Sequence, residues 1–298
     1  VSTFAEGVAY VDDAIVPIAE AKLSLLDWGF LHSDATYDVA HVWQGRFFRL
    51  DDHVERFFAG MAALRMEIPF DRDAVRAILT RLVRATGLRD AYVEMICTRG
   101  QPAPGSRDPR SCTNRFHAFA VPFIWIADPE QQVRGLDLVV AHRQRIPPAS
   151  VDPTVKNYHW LDVVMGLFEA YDRGGETAVT VDADDHLVEG PGFNVFAVFG
   201  SRLVTPASGV LEGITRRTVI EIARGQGRDV IETHLPASEA RDADELFVTS
   251  TAGGVMPVTR IDGRPVGNGR PGPVTQAIRD AYWALHEDPR YALAVDYG

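Results

Sequence analysis

Hydrophobic and polar positions along the chain change period several times, and each change marks an element. Short apolar, β-branched runs at Val8–Val11 and at 14–16 predict two strands. Residues 36–43 predict a third, Gln44-Gly45 a turn, and 46–50 the returning strand. After Asp51-Asp52 the period becomes helical, with Val54, Phe57, Phe58, Met61, Ala62 and Leu64 on one side. Asp71 opens a second helix that carries Val75, Ile78, Leu79 and Leu82. Strands are expected at 91–98 and 115–126, with a loop rich in proline, glycine and arginine at 101–111. The second half alternates: a strand at 136–141, a helix at 160–172, and paired strands at Thr177–Val181 and 195–199 around an aspartate-rich turn. A helix at 214–224, a strand at 245–249 and a last helix at 273–286 complete the series. The expected fold class is therefore α/β or α+β, in two halves. A small N-terminal domain would span 1–126, a polar linker 127–135, and a larger C-terminal domain 136–298.

The length of 298 residues suits two domains at roughly 100–200 residues each. A composition 46% apolar and 24% charged is that of an ordinary globular protein, which excludes disordered and collagen-like classes. No apolar run reaches the roughly 18 residues of a membrane span. Residues 1–10 carry acid and no basic n-region, so a secretory signal is not expected and a cytoplasmic location is. Cys97 and Cys112 are too few for a disulfide framework or a cysteine zinc site. The net charge of −11 argues against nucleic-acid and anionic-membrane partners. Of thirty basic residues only Lys22 and Lys156 are lysine, the other 28 being arginine. A chain that uses arginine for charge almost everywhere draws attention to its lysines, because an amine can lose its proton and form an imine and a guanidinium effectively cannot.

Candidate chemistry gathers in a few segments. The nine histidines show no metalloprotease spacing, and the Asp182-Ala183-Asp184-Asp185 cluster lacks the calcium-loop spacing, so no metal is expected. No phosphate-binding lysine loop and no nucleophile-elbow motif is present. Lys156 stands between Val155 and Tyr158 just before a helix; partial burial there would make it a nucleophilic amine. Glu189 follows apolar Val188 and precedes Gly190-Pro191-Gly192, where glycines allow close approach to a ligand. Gly213-Ile214-Thr215 opens a helix, so backbone amides and the Thr215 hydroxyl suit a phosphate monoester. Thr249-Ser250-Thr251 is a second hydroxyl cluster, and Arg56, one turn after His53, could close a phosphate cage. An amine, an acid and a phosphate site are what pyridoxal phosphate requires.

These segments carry a resemblance. The chain resembles the fold-type IV pyridoxal-phosphate aminotransferases through Phe48-Arg49-Leu50-x-x-His53-x-x-Arg56, Lys156-Asn157, Glu189-Gly190, Gly213-Ile214-Thr215-Arg216, Ser250-Thr251-Ala252 and Gly272-Pro273-Val274-Thr275, nearly end to end. Within that group it looks most like the (R)-selective amine transaminases, through residues 32–39, Tyr92-Val93-Glu94, residues 152–157 and the segment from Tyr282-Trp283 onward. The resemblance implies two domains, pyridoxal 5′-phosphate, and a homodimer with active sites near its interface. It implies that Lys156 binds the cofactor covalently and moves the proton, and that Glu189 pairs with the pyridine nitrogen. Arg56, Ile214, Thr215 and Thr251 would hold the phosphate, with Ser250 beside them. His32, Tyr37, Val39, Trp160, Gly192 and Ala252 would shape the substrate pocket. An arginine from the 101–111 loop, Arg107 first and Arg110 second, would meet the carboxylate of a keto acid such as pyruvate. The implied reaction moves an amino group from an (R)-configured primary amine to a keto acid. The alternative is a D-amino-acid aminotransferase, followed by a branched-chain aminotransferase and an aminodeoxychorismate lyase. Branched-chain members carry tyrosine five residues after the lysine, where this chain has Leu161.

Overall fold

Residues 4–298 are described by the structure, a computed structural model, and they form a mixed α/β chain with two sheets. In chain order come β1 (Val8–Val11), β2 (Ala14–Pro17), α1 (Trp28–Leu31), β3 (Ala35–Trp43), β4 (Arg46–Phe48), α2 (Leu50–Ala63), α3 (Arg72–Thr86), β5 (Ala91–Gln101) and β6 (Thr113–Pro122). Next are α4 (Pro129–Arg134), β7 (Leu136–Gln144), α5 (Leu161–Asp172), β8 (Thr177–Val181), β9 (Glu189–Gly190), β10 (Phe193–Phe199), β11 (Arg202–Pro206), α6 (Ile214–Gly225) and β12 (Asp229–Thr233). The chain finishes with α7 (Ala237–Ala240), β13 (Glu245–Ser250), β14 (Gly254–Ile261), β15 (Arg264–Pro265), α8 (Pro273–Ala284) and β16 (Ala292–Ala294). The chain divides into two compact units. One holds the residues up to Ile124 with Val155–His159 and His286–Gly298, and the other holds Trp125–Thr154 and Trp160–Leu285.

The first unit is built on an antiparallel sheet of order β16-β4-β3-β5-β6-β1-β2. Helices α2 and α3 bury Val54, Phe57, Met61, Val75, Leu79 and Leu82 with Val42, Val93 and Met95 of the strands. A side chain such as Leu79, fully buried, contributes about 1.5–3 kcal/mol. Helix α3 is bounded by its own chemistry. Asp71 accepts the Ala74 amide at 2.8 Å at the start, and Gly87 at φ +69° ends it in the left-handed conformation glycine tolerates. Helix α2 begins at Leu50, one residue before the expected Asp51, and keeps both acids in its first turn where the helix dipole favours them. The Val155–His159 segment is seated on the start of β3. The Lys156 carbonyl accepts from the Thr36 hydroxyl at 2.8 Å and the Tyr37 amide at 3.2 Å.

The second unit has a nine-stranded sheet with the path β12-β11-β10-β13-β14-β7-β8; β15 pairs with β14 and β9 with β10. The pairs β11/β12, β14/β7 and β7/β8 are parallel. Its core gathers Leu138, Val179, Val195, Ala197, Val248 and Met256 from the strands. Two expectations about strands need correction. The Thr177–Val181 strand pairs with β7, not with the strand at 195–199, which pairs with β9, β11 and β13. Both strands are buried almost throughout, so their residues announce a strand without naming its partner. The strand expected over 115–126 stops at Pro122. Residues 127–135, expected to be a linker, carry α4, capped by a reciprocal Asp128–Gln131 capping box, within the second unit.

Candidate active site

Alternation along β3 sorts the first unit's candidate residues onto opposite faces of its sheet. Asp38 points toward α2, whose Arg56 grips it with Nε to Oδ2 at 2.7 Å and Nη2 to Oδ1 at 2.9 Å. His53 donates from Nδ1 to the same carboxylate at 2.8 Å. Burial works to raise the Asp38 carboxyl, but the Arg56 charge and the His53 hydrogen bond overcome it and hold the group well below the usual carboxylate range. Burial lowers His53, with the Asp38 bond opposing.

Tyr37 and Val39 point the other way, and register sets Glu94 of β5 directly across from Val39. Lys156 Nζ lies 4.4 Å above the Tyr37 ring, a cation–π contact. Tyr37 stacks on Tyr158 with ring centres 4.3 Å apart and planes 9° from parallel. The Tyr158 hydroxyl donates to Glu94 Oε1 at 2.5 Å, and the Tyr92 hydroxyl to Oε2 at 3.1 Å. Burial raises the Glu94 carboxyl above its ordinary value against these two donors, and burial beside Glu94 drives both phenols upward as well. A lysine amine, two stacked aromatic rings and a buried acid thus form one continuous constellation.

The second unit holds the other group of candidates. Glu189 and Gly190 pair with Asn194 and Phe193 in a tight hairpin turned by Pro191-Gly192, with Gly192 at φ +81° as a proline-glycine turn requires. Glu189 is buried; Oε1 accepts from Arg145 Nε at 3.1 Å and Oε2 from the Leu211 amide at 2.9 Å. Arg145 also bonds Asp162 at 2.6 Å. Burial opposes the Arg145 charge, and the two carboxylates more than restore it, raising its pKa. Helix α6 starts at Ile214 with no side-chain cap from Gly213, whose bare backbone approaches so closely that a Cβ there would stand 2.2 Å from Asn194 Oδ1. Ile214 and Thr215 are buried, and the Thr215 hydroxyl is 3.5 Å from that of Tyr282. Ser250 Oγ accepts the Ala252 amide at 3.1 Å, and the buried Thr249 hydroxyl has no hydrogen-bond partner among the described residues.

Other expected pocket residues are distributed unevenly. Trp160, Gly192 and Ala252 meet through Ile126: its amide donates to Ala252 O at 2.9 Å, and a Cβ at Gly192 would touch both Ile126 and Trp160 at 3.6 Å. His32 is exposed at the end of α1 and packs edge-on against Trp28. Arg107 is exposed, and Arg110 bonds Asp108 of its own turn. Arg216, in the quoted motif, turns toward Thr205, Pro206 and Glu232. Sequence reasoning did not single out Asp38, Arg145, Asp162 or Tyr158. Asp38 left one signal, a lone acid in an otherwise apolar strand run.

The family model for amino-transferase class IV matches residues 35–261, and the chain belongs to that family. It is 31% identical over 276 residues to a putative branched-chain-amino-acid aminotransferase of Methanocaldococcus jannaschii, covering 92% of this chain and 94% of the relative. It is 28% identical over 266 residues to a D-alanine aminotransferase of Bacillus licheniformis, covering 88% and 91%. Among solved structures, the branched-chain aminotransferase of Thermoproteus uzoniensis with norvaline superposes with a TM-score of 0.88 at 28% identity over 97% of this chain and 99% of the other. The branched-chain aminotransferase of Thermobaculum terrenum in its pyridoxal-phosphate form gives 0.86 at 27%, over 97% and 98%. The chain is therefore a pyridoxal-phosphate-dependent aminotransferase of fold type IV. The residues fit that cofactor. The second unit supplies a buried carboxylate at Glu189 suited to a ring N–H, helix amides without a side-chain cap for a phosphate, and the unsatisfied buried hydroxyl of Thr249.

Proposed function

We propose that this aminotransferase takes its amino group from (R)-configured primary amines with apolar substituents and delivers it to a keto acid such as pyruvate. Pyridoxal phosphate, when bound, supplies a carbonyl that condenses with amines and a protonated ring that accepts electrons from the substrate carbon. Lys156 holds the cofactor and carries the proton between the substrate carbon and cofactor C4′. Glu189, fixed by Arg145, keeps the pyridine nitrogen protonated. The amides of Ile214 and Thr215, the hydroxyls of Thr215, Thr251 and Ser250, and the Asp38-oriented Arg56 bind the phosphate. Tyr37, Val39, Trp160, Gly192, Ala252 and His32 bound the substrate, and Arg107 receives the keto-acid carboxylate. The enzyme works as a cytoplasmic homodimer. Support for the dimer comes from two uncovered apolar stretches. One is Leu161, Met165, Phe168 and Tyr171 along one face of α5, and the other is Leu25, Leu26 and Phe30. Among the described residues no helix is long and apolar enough to cross a membrane.

The observation that carries the amine reading is Glu94. A buried carboxyl, bound by Tyr92 and Tyr158 and linked through Tyr37 to Lys156, is a poor neighbour for a substrate carboxylate and a neutral one for an apolar group. Likeness to D-alanine aminotransferases favours a second reading, D-amino-acid transfer. The branched-chain names of other relatives find less support, because Leu161 stands where the resemblance expects a tyrosine. The test is a kinetic resolution. Racemic 1-phenylethylamine and pyruvate are incubated with the enzyme, and the remaining amine is separated on a chiral column. The (S)-amine should remain; consumption of both enantiomers or of neither overturns the proposal.

A further inference from the structure

Away from the residues assigned above, two imidazoles and a carboxylate converge on one turn of the second unit. Asp182, His186 and His234 each offer a ligand atom, and these atoms lie within 4.8 Å of one another. The backbone fixes the arrangement. Asp182 N donates to His186 O at 2.9 Å, and Asp185 adopts the left-handed conformation at φ +60°. Asp182 Oδ1 accepts the amides of Asp184 and His186, both at 2.9 Å, while Oδ2 stands 3.1 Å from His186 Nδ1. The chain after β12 runs alongside: Leu187 N donates to Leu235 O at 2.7 Å, and His186 bridges to Pro236. This pairing sets the His186 and His234 rings 4.8 Å apart at 33°. Asp182 and His186 are partly buried, and His234 is exposed.

We propose that this turn binds a divalent transition-metal ion, with zinc the best fit. Two imidazole nitrogens and one carboxylate oxygen form a donor set of intermediate softness that suits zinc, nickel or copper(II), whereas calcium and magnesium demand oxygen shells. Zinc bonds of about 2.0–2.1 Å in a tetrahedron place ligand atoms about 3.3 Å apart, so the exposed His234 side chain needs only a small rotation to close on the ion. The metal replaces the Asp182–His186 hydrogen bond, the imidazole proton moves to Nε2, and water fills the fourth position. Asp184 and Asp185 on the same turn add attractive negative charge. A bound ion would cross-link this turn to the segment after β12. The turn leads directly into Glu189, whose carbonyl the Thr180 hydroxyl already holds at 2.7 Å. Binding should therefore also raise thermal stability.

The test is titration of the holoenzyme with zinc by calorimetry, and with cobalt(II) by visible absorbance. Wild type should bind one zinc per chain and show tetrahedral cobalt bands. Removing an outer partner of a metal site costs about 10–100-fold in affinity, so losing a direct ligand in His234→Ala should weaken zinc by at least about tenfold and abolish the bands. His234 is exposed, so His234→Ala should match wild type in metal-free melting and in transaminase activity. His186→Ala should show the same loss. Equal zinc affinity in wild type and His234→Ala, or no zinc bound by wild type at micromolar concentration, overturns the proposal.

Discussion

Replacing Asp38 with asparagine removes one carboxylate and leaves its shape. In the native chain that carboxylate is fully buried and accepts four hydrogen bonds: two from Arg56, one from His53 and one from the Val39 amide. Asparagine turns one acceptor into a donor that faces the Arg56 fork, and it removes the negative charge paired with a largely buried guanidinium. Breaking a buried pair by removing one partner costs about 3–5 kcal/mol. At about 2–4 °C per kcal/mol, the melting temperature should fall by about 6–20 °C. The sign of the pH dependence follows from the depressed native pKa. The native carboxylate stabilises the fold fully above its unfolded value of about 3.9, and that contribution fades as pH falls toward the lower native value. The gap between wild type and Asp38→Asn should thus be constant above about pH 5 and shrink below about pH 4. Urea melts across pH measure both features. A loss below about 1 kcal/mol at pH 7, or a gap that widens in acid, would refute this account of the cluster. If Arg56 holds the phosphate, the same variant should also release pyridoxal phosphate more readily on dialysis.

Other substitutions probe the remaining roles. Lys156→Ala should abolish turnover and leave no cofactor attached to the chain after borohydride reduction, as read by mass spectrometry; turnover at the normal rate would end the lysine assignment. Glu94→Gln should favour carboxylate substrates. With that negative charge gone, the kcat/KM ratio of D-alanine to (R)-1-phenylethylamine should rise by about tenfold or more in steady-state assays, and an unchanged ratio would count against the role given to Glu94. Glu189→Gln should lower kcat by on the order of 10²–10³ as the pyridine nitrogen loses its charge partner, measured under saturating cofactor.

Much of the fold was legible because local chemistry dictates it. Asp71 and Gly87 frame α3 with a cap at one end and a left-handed glycine at the other, and both residues stand plainly in the sequence. The two buried strands Thr177–Val181 and Phe193–Phe199 were visible as strands, yet their partners were not, since residues buried on both faces carry no alternation. Strand β14 was not among the expected strands, because Gly253-Gly254 at its start weakens the strand signal. In the site, Lys156 stood out against 28 arginines, and Glu189 against its glycines. The same abundance of arginine concealed Arg145, which differs from the rest only by sitting between two buried carboxylates. Asp38 and Glu94 owe their settings to strand register and to a helix that arrives from elsewhere in the sequence. Neither relation can be read from neighbouring residues.

The central claim is a choice of amine donor, and the half-reaction tests it most directly. The purified yellow holoenzyme would be titrated separately with (R)-1-phenylethylamine, its (S) form, D-alanine and L-leucine, without any acceptor, while the visible cofactor absorbance is followed. Rapid loss of the yellow band with the (R)-amine, with or without D-alanine, is the predicted result. Conversion by D-alanine or L-leucine alone would contradict it, and would mean that a fixed carboxylate clamp governs the choice of donor.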